Sequence, residues 1–183
     1  MIKRFWRNPF LRFLFLALSA YLVWYVGYEF YLRPNTTIDE WMVDKITIGA
    51  EWFLDLFGYP LRLFDDGEFR NHVGVAGSMG VTIGAPCDGI VLFALFLVFV
   101  IAFPGPLIHK LWYIPLGVVL IHVANVLRVV ALAIIVHIDP DWLAFNHDYT
   151  FTVIVYSLVF GLWYIWIQKF SPLAKSKILK APL

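Results

Sequence analysis

The longest apolar stretch of the chain is "LWYIPLGVVLIHVANVLRVVALAIIVHI" (111–138), in which Arg128 is the only arginine. A helix that crosses a bilayer needs about 20 apolar residues, so this stretch predicts a long membrane span. Proline and glycine end helices, and "FPGP" (103–106) separates it from the apolar run before it. The other apolar runs predict spans at 13–32, 89–103 and 149–167. The fold expected is an all-α polytopic membrane protein with about four transmembrane helices.

Composition supports this class and excludes others. The chain is 61% hydrophobic and 15% charged, which is more apolar than a soluble domain. Its net charge is only +1, so the protein has no overall positive potential and no nucleic-acid partner is expected. The single cysteine cannot form an internal disulfide, and no metal-type Cys/His spacing occurs, so no metal or cofactor is expected. Residues 1–183 are expected to form one membrane domain in contact with the lipid bilayer.

Charge predicts the orientation of the spans. Lysines and arginines cluster in 1–12 and 169–183, and all 13 acidic residues lie between Glu29 and Asp148. The positive-inside rule then places both termini and the loop 104–110 in the cytoplasm. The segments 33–88 and 138–148 are expected outside. The amino terminus resembles a signal peptide but lacks a clear cleavage site, so 1–32 is interpreted as an uncleaved first span in the cytoplasmic membrane.

The extracytoplasmic segment begins with an amphipathic helix over 36–58. Thr37 followed by Glu40 is typical of a capping box at its start. Glu40, Asp44, Glu51 and Asp55 fall together on one face, and the helix is expected to lie on the outer membrane surface or to pack against the spans. The opposite, apolar face is expected to comprise Ile38, Trp41, Met42, Ile46, Gly49, Trp52, Phe53 and Leu56.

A short β-hairpin is predicted over 69–84. Val73 and Val75, then Val81 and Ile83, alternate on either side of a glycine-rich turn. The turn "AGSMG" (76–80) is similar to the serine-hydrolase elbow, but it lacks the first glycine and the strand-to-helix setting. It is therefore interpreted as a turn.

The hairpin leads directly into "GAPCDGIVLF" (84–93), which contains the only cysteine. A lone cysteine is usually a small buried hydrophobe. Cys87, however, stands beside Asp88 at the expected start of the second span, and thiols at helix amino termini ionise more readily than free ones. Both interpretations, packing residue and nucleophile, are open at this point.

Arg128 is the second candidate, because arginine inside a membrane helix is costly. It lies 18 residues after Lys110, which is roughly 27 Å along a helix. Against a hydrocarbon core about 30 Å thick, this places Arg128 near the outer edge, at the level expected for Cys87. Asn125, one turn earlier, is positioned to hold its guanidinium. The alternative is an arginine that snorkels to the headgroups.

The third candidate is His147 in "AFNHDYTF" (144–151), flanked by Asn146 and Asp148 at the outer start of the fourth span. A loop histidine is commonly just solvated. Yet Cys87, Arg128 and His147 come from three spans and share one expected depth. A nucleophilic thiol, an acid/base and a cation gathered there suit acyl transfer. The rival histidines are His72, His122 and His137.

Three motifs in this order, "PCDGI" (86–90), "NVLR" (125–128) and "FNHD" (145–148), resemble the exosortase/archaeosortase family. The resemblance covers about 70–168. It implies a membrane cysteine transpeptidase with Cys87 as nucleophile, Arg128 as cation and His147 as acid/base. Its implied partners are membrane-anchored proteins with a carboxy-terminal sorting signal, made of a short motif, a transmembrane helix and a basic tail. Such enzymes cleave near the motif and pass the acyl group to another nucleophile.

The chain departs from the family pattern in two respects. Many members have more membrane helices, and the residue after the cysteine is often small and uncharged, whereas here it is Asp88. An intramembrane metalloprotease or aspartyl protease is disfavoured, because H-E-x-x-H and paired intramembrane aspartates are missing. A non-enzymatic assembly factor or transport subunit is the remaining alternative, with a structural Arg128 and a packing Cys87.

Overall fold

The computed structural model describes residues 8–62, 71–84 and 87–172. The basic residues of 1–7 and 173–183, the start of the predicted hairpin at 69–70 and Pro86 lie outside the described residues. In the described part, helices dominate and one small sheet forms.

The first membrane helix, α1, spans Pro9–Gly27. Asn8 caps it, because its side-chain oxygen accepts hydrogen bonds from the backbone N–H groups of Phe10 and Leu11 at 3.0 and 3.4 Å. A π-helical turn, Tyr28–Leu32, and a short α-helical turn, Arg33–Asn35, continue the same helix. The continuous element Pro9–Asn35 is 27 residues long and apolar enough to span a membrane.

The next elements are the helix α2, Ile38–Leu56, and a hairpin. Strands β1 (His72–Val73) and β2 (Val81–Thr82) pair antiparallel, with His72 opposite Thr82 and Val73 opposite Val81. The predicted hairpin is thus confirmed, although each strand is only two residues long. The predicted capping box of α2 is wrong, because the Thr37 side chain makes no capping hydrogen bond.

Three further helices follow, α3 (Ile90–Ala102), α4 (Leu107–Ile138) and α5 (Phe151–Phe170). Within the described ranges, three continuous helical elements are long and apolar enough to span a membrane: Pro9–Asn35, Leu107–Ile138 and Pro140–Phe170. The prediction of an all-α polytopic membrane protein is confirmed. The predicted second span, 89–103, is helical over 13 residues, fewer than the roughly 20 that usually cross a bilayer.

The segment between α4 and α5 is helical, so His147 lies in a helical turn at the start of the fourth predicted span, as expected, and not in a solvated loop. A 3-10 turn (Pro140–Trp142) leads through a short α-helical turn (Leu143–Phe145) into a π-helical turn (Asn146–Thr150). Asp139 begins this segment, because its carboxylate accepts the backbone N–H of Asp141 at 3.1 Å. This capping lets the backbone re-enter a helix directly after α4 ends.

The chain forms two compact units. One contains Met1–Asn35, Val91–Val119 and Leu158–Leu183, and the other contains Thr36–Ile90 and Leu120–Ser157. The first is held by aromatic contacts, such as Phe99 stacked on Trp163 with ring centroids 4.4 Å apart. The second is built on an aliphatic core from α2, the hairpin and the second half of α4, including Ile46, Leu54, Val73, Val75, Val126, Ala133 and Val136.

The residues that α2 buries within the protein overlap only partly with its predicted apolar face. Ile46 is buried, whereas Trp41, Trp52 and Leu56 are 56%, 58% and 60% exposed. The residues that α2 buries are Val43, Ile46, Thr47, Ala50 and Leu54. Gly49, also on the predicted face, packs closely, because a Cβ there would lie only 3.2 Å from a methyl group of Val126.

Candidate active site

Cys87 lies immediately before α3, in the unit formed by 36–90 and 120–157. Its backbone N–H donates to the Gly84 carbonyl at 2.8 Å, and its side chain is half-buried. Asp88 is 2% exposed, and its carboxylate accepts the N–H of Ile90 at 2.8 Å. Asp88, not Cys87, is therefore the residue that caps α3.

Gly89 explains how the chain turns from the cysteine into the helix. Its φ of +84° lies in the left-handed region, which glycine adopts without steric cost. The sequence "CDG" is thus a compact helix start, in which a buried carboxylate fixes the turn and Cys87 stays outside the helical hydrogen bonding.

The structure brings His147 to Cys87. The thiol Sγ lies 3.2 Å from Nε2 of His147, and the other ring nitrogen, Nδ1, lies 2.8 Å from a carboxylate oxygen of Asp148. The side chains of His147 and Asp148 are 40% and 62% exposed. An imidazole whose Nδ1–H donates to a carboxylate presents Nε2 as an acceptor, so it can take the proton of the thiol.

Arg128 approaches the same histidine from α4. One of its terminal guanidinium nitrogens lies 3.5 Å from the backbone carbonyl oxygen of His147. Its Nε is buried and has no hydrogen-bond partner among the residues that the structure describes. Because Nε is buried, contact between this cation and a group that enters the site falls to the terminal guanidinium nitrogens, one of which already faces His147.

Asn125 contacts the cysteine and not the arginine. It is 1% exposed, and its Nδ2 donates to the carbonyl oxygen of Cys87 at 2.7 Å. The prediction that it holds the Arg128 guanidinium is wrong. The short amide reaches the chain before α3, whereas the longer arginine extends to the turn that carries His147.

The remaining candidates lie apart from the thiol. Asn146, predicted as a supporting residue, donates from Nδ2 to the Trp142 carbonyl at 2.9 Å within its own helical segment. Among the rival histidines, His72 pairs with the Thr82 hydroxyl at 2.7 Å in the hairpin, and His137 packs against the Tyr59 ring. Across 8–62, 71–84 and 87–172, no three His, Cys, Asp or Glu side chains are grouped for a metal.

Thr152 is a contact that sequence reasoning missed. Its hydroxyl donates to the His147 carbonyl at 3.2 Å, beside the Arg128 contact. The five-residue separation is the spacing of a π-helical turn, whereas helix-based searches look three and four residues away. The only signal in the sequence is a hydroxyl residue five positions after the histidine.

Taken together, a thiol, an imidazole, a carboxylate and a guanidinium meet within one compact unit. A nucleophile in contact with a base, which a third group orients in turn, is the arrangement of covalent catalysis. Main-chain carbonyls of Cys87 and His147 are held by Asn125, Arg128 and Thr152.

Comparison with known proteins identifies the family. The model of the transmembrane exosortase family matches residues 4–167, which include Cys87, Arg128 and His147. No curated protein and no solved structure gives a significant match. The family match and the three long apolar helices together show a multi-pass membrane protein. Because the match covers most of its length, this chain belongs to the transmembrane exosortase family.

Proposed function

We propose that the protein is a membrane-embedded cysteine transpeptidase or endopeptidase. Its substrates are exported proteins with a carboxy-terminal sorting signal, cleaved on the outer side of the cytoplasmic membrane. The observation that carries this proposal is the 3.2 Å contact between the Cys87 thiol and the His147 imidazole. Membership in the exosortase family supports the same reaction class.

The reaction begins with proton transfer. Nε2 of His147 takes the thiol proton, and the Cys87 sulfur attacks the scissile carbonyl carbon, so that a C–S bond forms. The carbonyl π electrons move to oxygen. The unpaired donors of Arg128 stabilise this oxyanion, because a guanidinium in a site of low dielectric offers fixed positive charge.

The intermediate then collapses. The C–N bond breaks, and His147 gives its proton to the leaving amine, which carries the substrate helix and its basic tail. A thioester on Cys87 remains. Water or the amine of an acceptor attacks this thioester, loses a proton to His147 and releases the product. The thiolate takes that proton back.

The supporting residues act by position. Asp148 holds Nδ1 of His147 and fixes its tautomer. Asn125 fixes the main chain at Cys87, and Asp88 fixes the start of α3. Asp88 therefore has a structural role, through its hydrogen bond from Ile90, at a position where the family often has a small residue.

The test is processing of a membrane-anchored reporter whose carboxy terminus carries a short motif, a transmembrane helix and a basic tail. The protein should shorten this reporter, as followed by intact mass, whereas Cys87→Ala and His147→Ala should not. His137→Ala is the matched control, because it removes a histidine outside the site and should process normally. Normal cleavage by Cys87→Ala would overturn the covalent mechanism.

Thiol labelling separates this function from a non-enzymatic role. Cys87 is the only cysteine of the chain, so any labelling reports on this site alone. A membrane-impermeant thiol reagent added from outside should modify the wild type, and His147→Ala should react more slowly because the base is missing. A packing cysteine in an assembly or transport subunit would not react.

A further inference from the structure

A cavity of about 570 Å³ lies within the first unit, between α1, α3 and the first turn of α4. Among the described residues, its lining is apolar, including Phe13, Leu16 and Val98, except for the cations Arg12 and Lys110, and contains no acidic residue. A cavity with two positive charges and apolar walls favours an anionic amphiphile.

Lys110 is held at the edge of this cavity by the end of α3. Its Nζ donates to the carbonyl oxygens of Ile101 and Phe103 at 2.7 and 3.0 Å. A cation here suits the carbonyl end of a helix. An ammonium group has three N–H donors, and two are used by these carbonyls. The third makes no hydrogen bond to a described residue, and the Trp166 ring centroid lies 6.0 Å from Nζ.

Arg12, near the start of α1, supplies the second positive charge of the cavity. Its side chain is exposed, and no acidic residue of the described ranges forms an ion pair with it. The nearest acid along the chain is Glu29, 17 residues later, which is roughly 25 Å away along the helix. The charge of Arg12 is therefore not balanced within α1.

The cations and the apolar wall are separated along α1. From Arg12 to Ala20, both of which line the cavity, the helix rises by roughly 12 Å, and Phe13 and Leu16 lie between them. A phosphate at the charged end would thus have apolar surface beside it for several methylene groups. Free phosphate has no apolar part to place against this wall, so the wall favours a ligand that also carries an acyl chain.

We propose that this cavity binds one anionic phospholipid. The phosphate contacts Arg12 and the remaining donor of Lys110, and an acyl chain lies along Phe13, Leu16 and Ala20. A second cavity bordered by α1, of about 180 Å³, is lined only by uncharged residues such as Leu14, Leu18 and Phe99. It offers nothing to a phosphate, so the preference for an anionic headgroup belongs to the first cavity.

The experiment measures lipid retention on the full chain. The protein is purified in neutral detergent and mixed with phosphatidylglycerol or phosphatidylcholine of the same acyl chains, and bound lipid is counted by native mass spectrometry. One phosphatidylglycerol per chain should remain bound, and phosphatidylcholine should not. Arg12→Gln should weaken phosphatidylglycerol binding about fivefold, the effect typical of one cation near an anionic lipid.

The matched control is Lys169→Gln, which removes one exposed cation that does not line the cavity. It should leave retention unchanged. Ala20→Phe keeps both cations but fills the apolar end, and it should also lower retention. Circular dichroism confirms that each variant folds.

Three outcomes would overturn the proposal. Equal retention of the two lipids would show that charge does not select the ligand. An equal loss in Lys169→Gln would show that surface charge alone attracts the lipid. Competition by glycerol phosphate at the concentration of the lipid would show a site for a free phosphate. None of these measurements depends on Cys87, so they are independent of the proposed transpeptidase activity.

Discussion

His147 and Cys87 are 60 positions apart in the chain, yet Nε2 of the histidine lies 3.2 Å from the thiol sulfur. The contact joins the residue before α3 to the π-helical turn before α5. Between them, α4 supplies Asn125 to one backbone carbonyl and Arg128 to the other. Both members of the proposed catalytic pair are therefore positioned through their main chain by the same helix.

Asp148→Asn should slow processing by about tenfold, much less than loss of the histidine. The carboxylate orients His147, but it is 62% exposed, and exposed ion pairs contribute little. The measurement is kcat/KM on the reporter. Asp141→Asn, in the same helical segment, should match the wild type. A loss as large as that of His147→Ala would mean that Asp148 acts as a full triad member.

Arg128→Lys should lower kcat by about 10² to 10³, the usual cost of a lost oxyanion donor. A lysine keeps the charge but loses the planar set of donors, of which one reaches His147 and Nε stays unpaired. Arg33→Lys changes an exposed arginine paired with Glu29 and serves as the control. If Arg128→Lys had wild-type activity, Arg128 would act only through its positive charge or as an anchor that snorkels to the headgroups.

Asn125→Leu should destabilise the site by about 1–3 kcal/mol, because the Cys87 carbonyl loses a buried donor. Unfolding in a denaturing detergent measures the stability, and the rate of thiol alkylation reports whether Cys87 is displaced. The exposed amide of Asn35 can be removed as Asn35→Ala for comparison. Unchanged alkylation and stability would contradict a positioning role.

The stability of the protein should depend on Glu51 in α2. Burial raises the pKa of this carboxyl from its usual 4.5. The folded state thus favours the protonated form, and the stability gained is present below pH 4.5 and is lost as pH rises through the raised pKa. Glu51→Gln should unfold at a higher temperature than the wild type at pH 7, and the difference should vanish in acid.

Topology reporters test the orientation, which rests on the positive-inside rule alone. A reporter enzyme that works only in the cytoplasm should be active when it is fused after Leu183. A reporter enzyme that works only outside should be active when it is inserted after Asp66. The opposite pattern would place Cys87 on the wrong face for an exported substrate. That result would remove the support for the proposed site of cleavage.

The spans were predictable because lipid requires long apolar helices, and "FPGP" marks their break. The gathering of Cys87, Arg128 and His147 was predicted from membrane depth, which constrains position along one axis. Which residue Asn125 contacts depends on the direction in which its side chain leaves α4. Membrane depth does not determine that direction. The buried face of α2 depends on how closely Gly49 approaches Val126, which hydropathy does not encode.

The π-helical turn Asn146–Thr150 carries one residue more than an α-helical turn would need. Deleting one residue there would restore regular α-helical hydrogen bonding. It would also rotate the chain before the deletion by about 100° relative to α5, and so turn His147 away from the thiol. At this turn, therefore, regular α-helical hydrogen bonding and an imidazole that faces the thiol exclude each other. Under the proposed function, a variant that lacks this one residue should still insert and fold but should not shorten the reporter, so the length of the turn would be as necessary as the histidine that it carries.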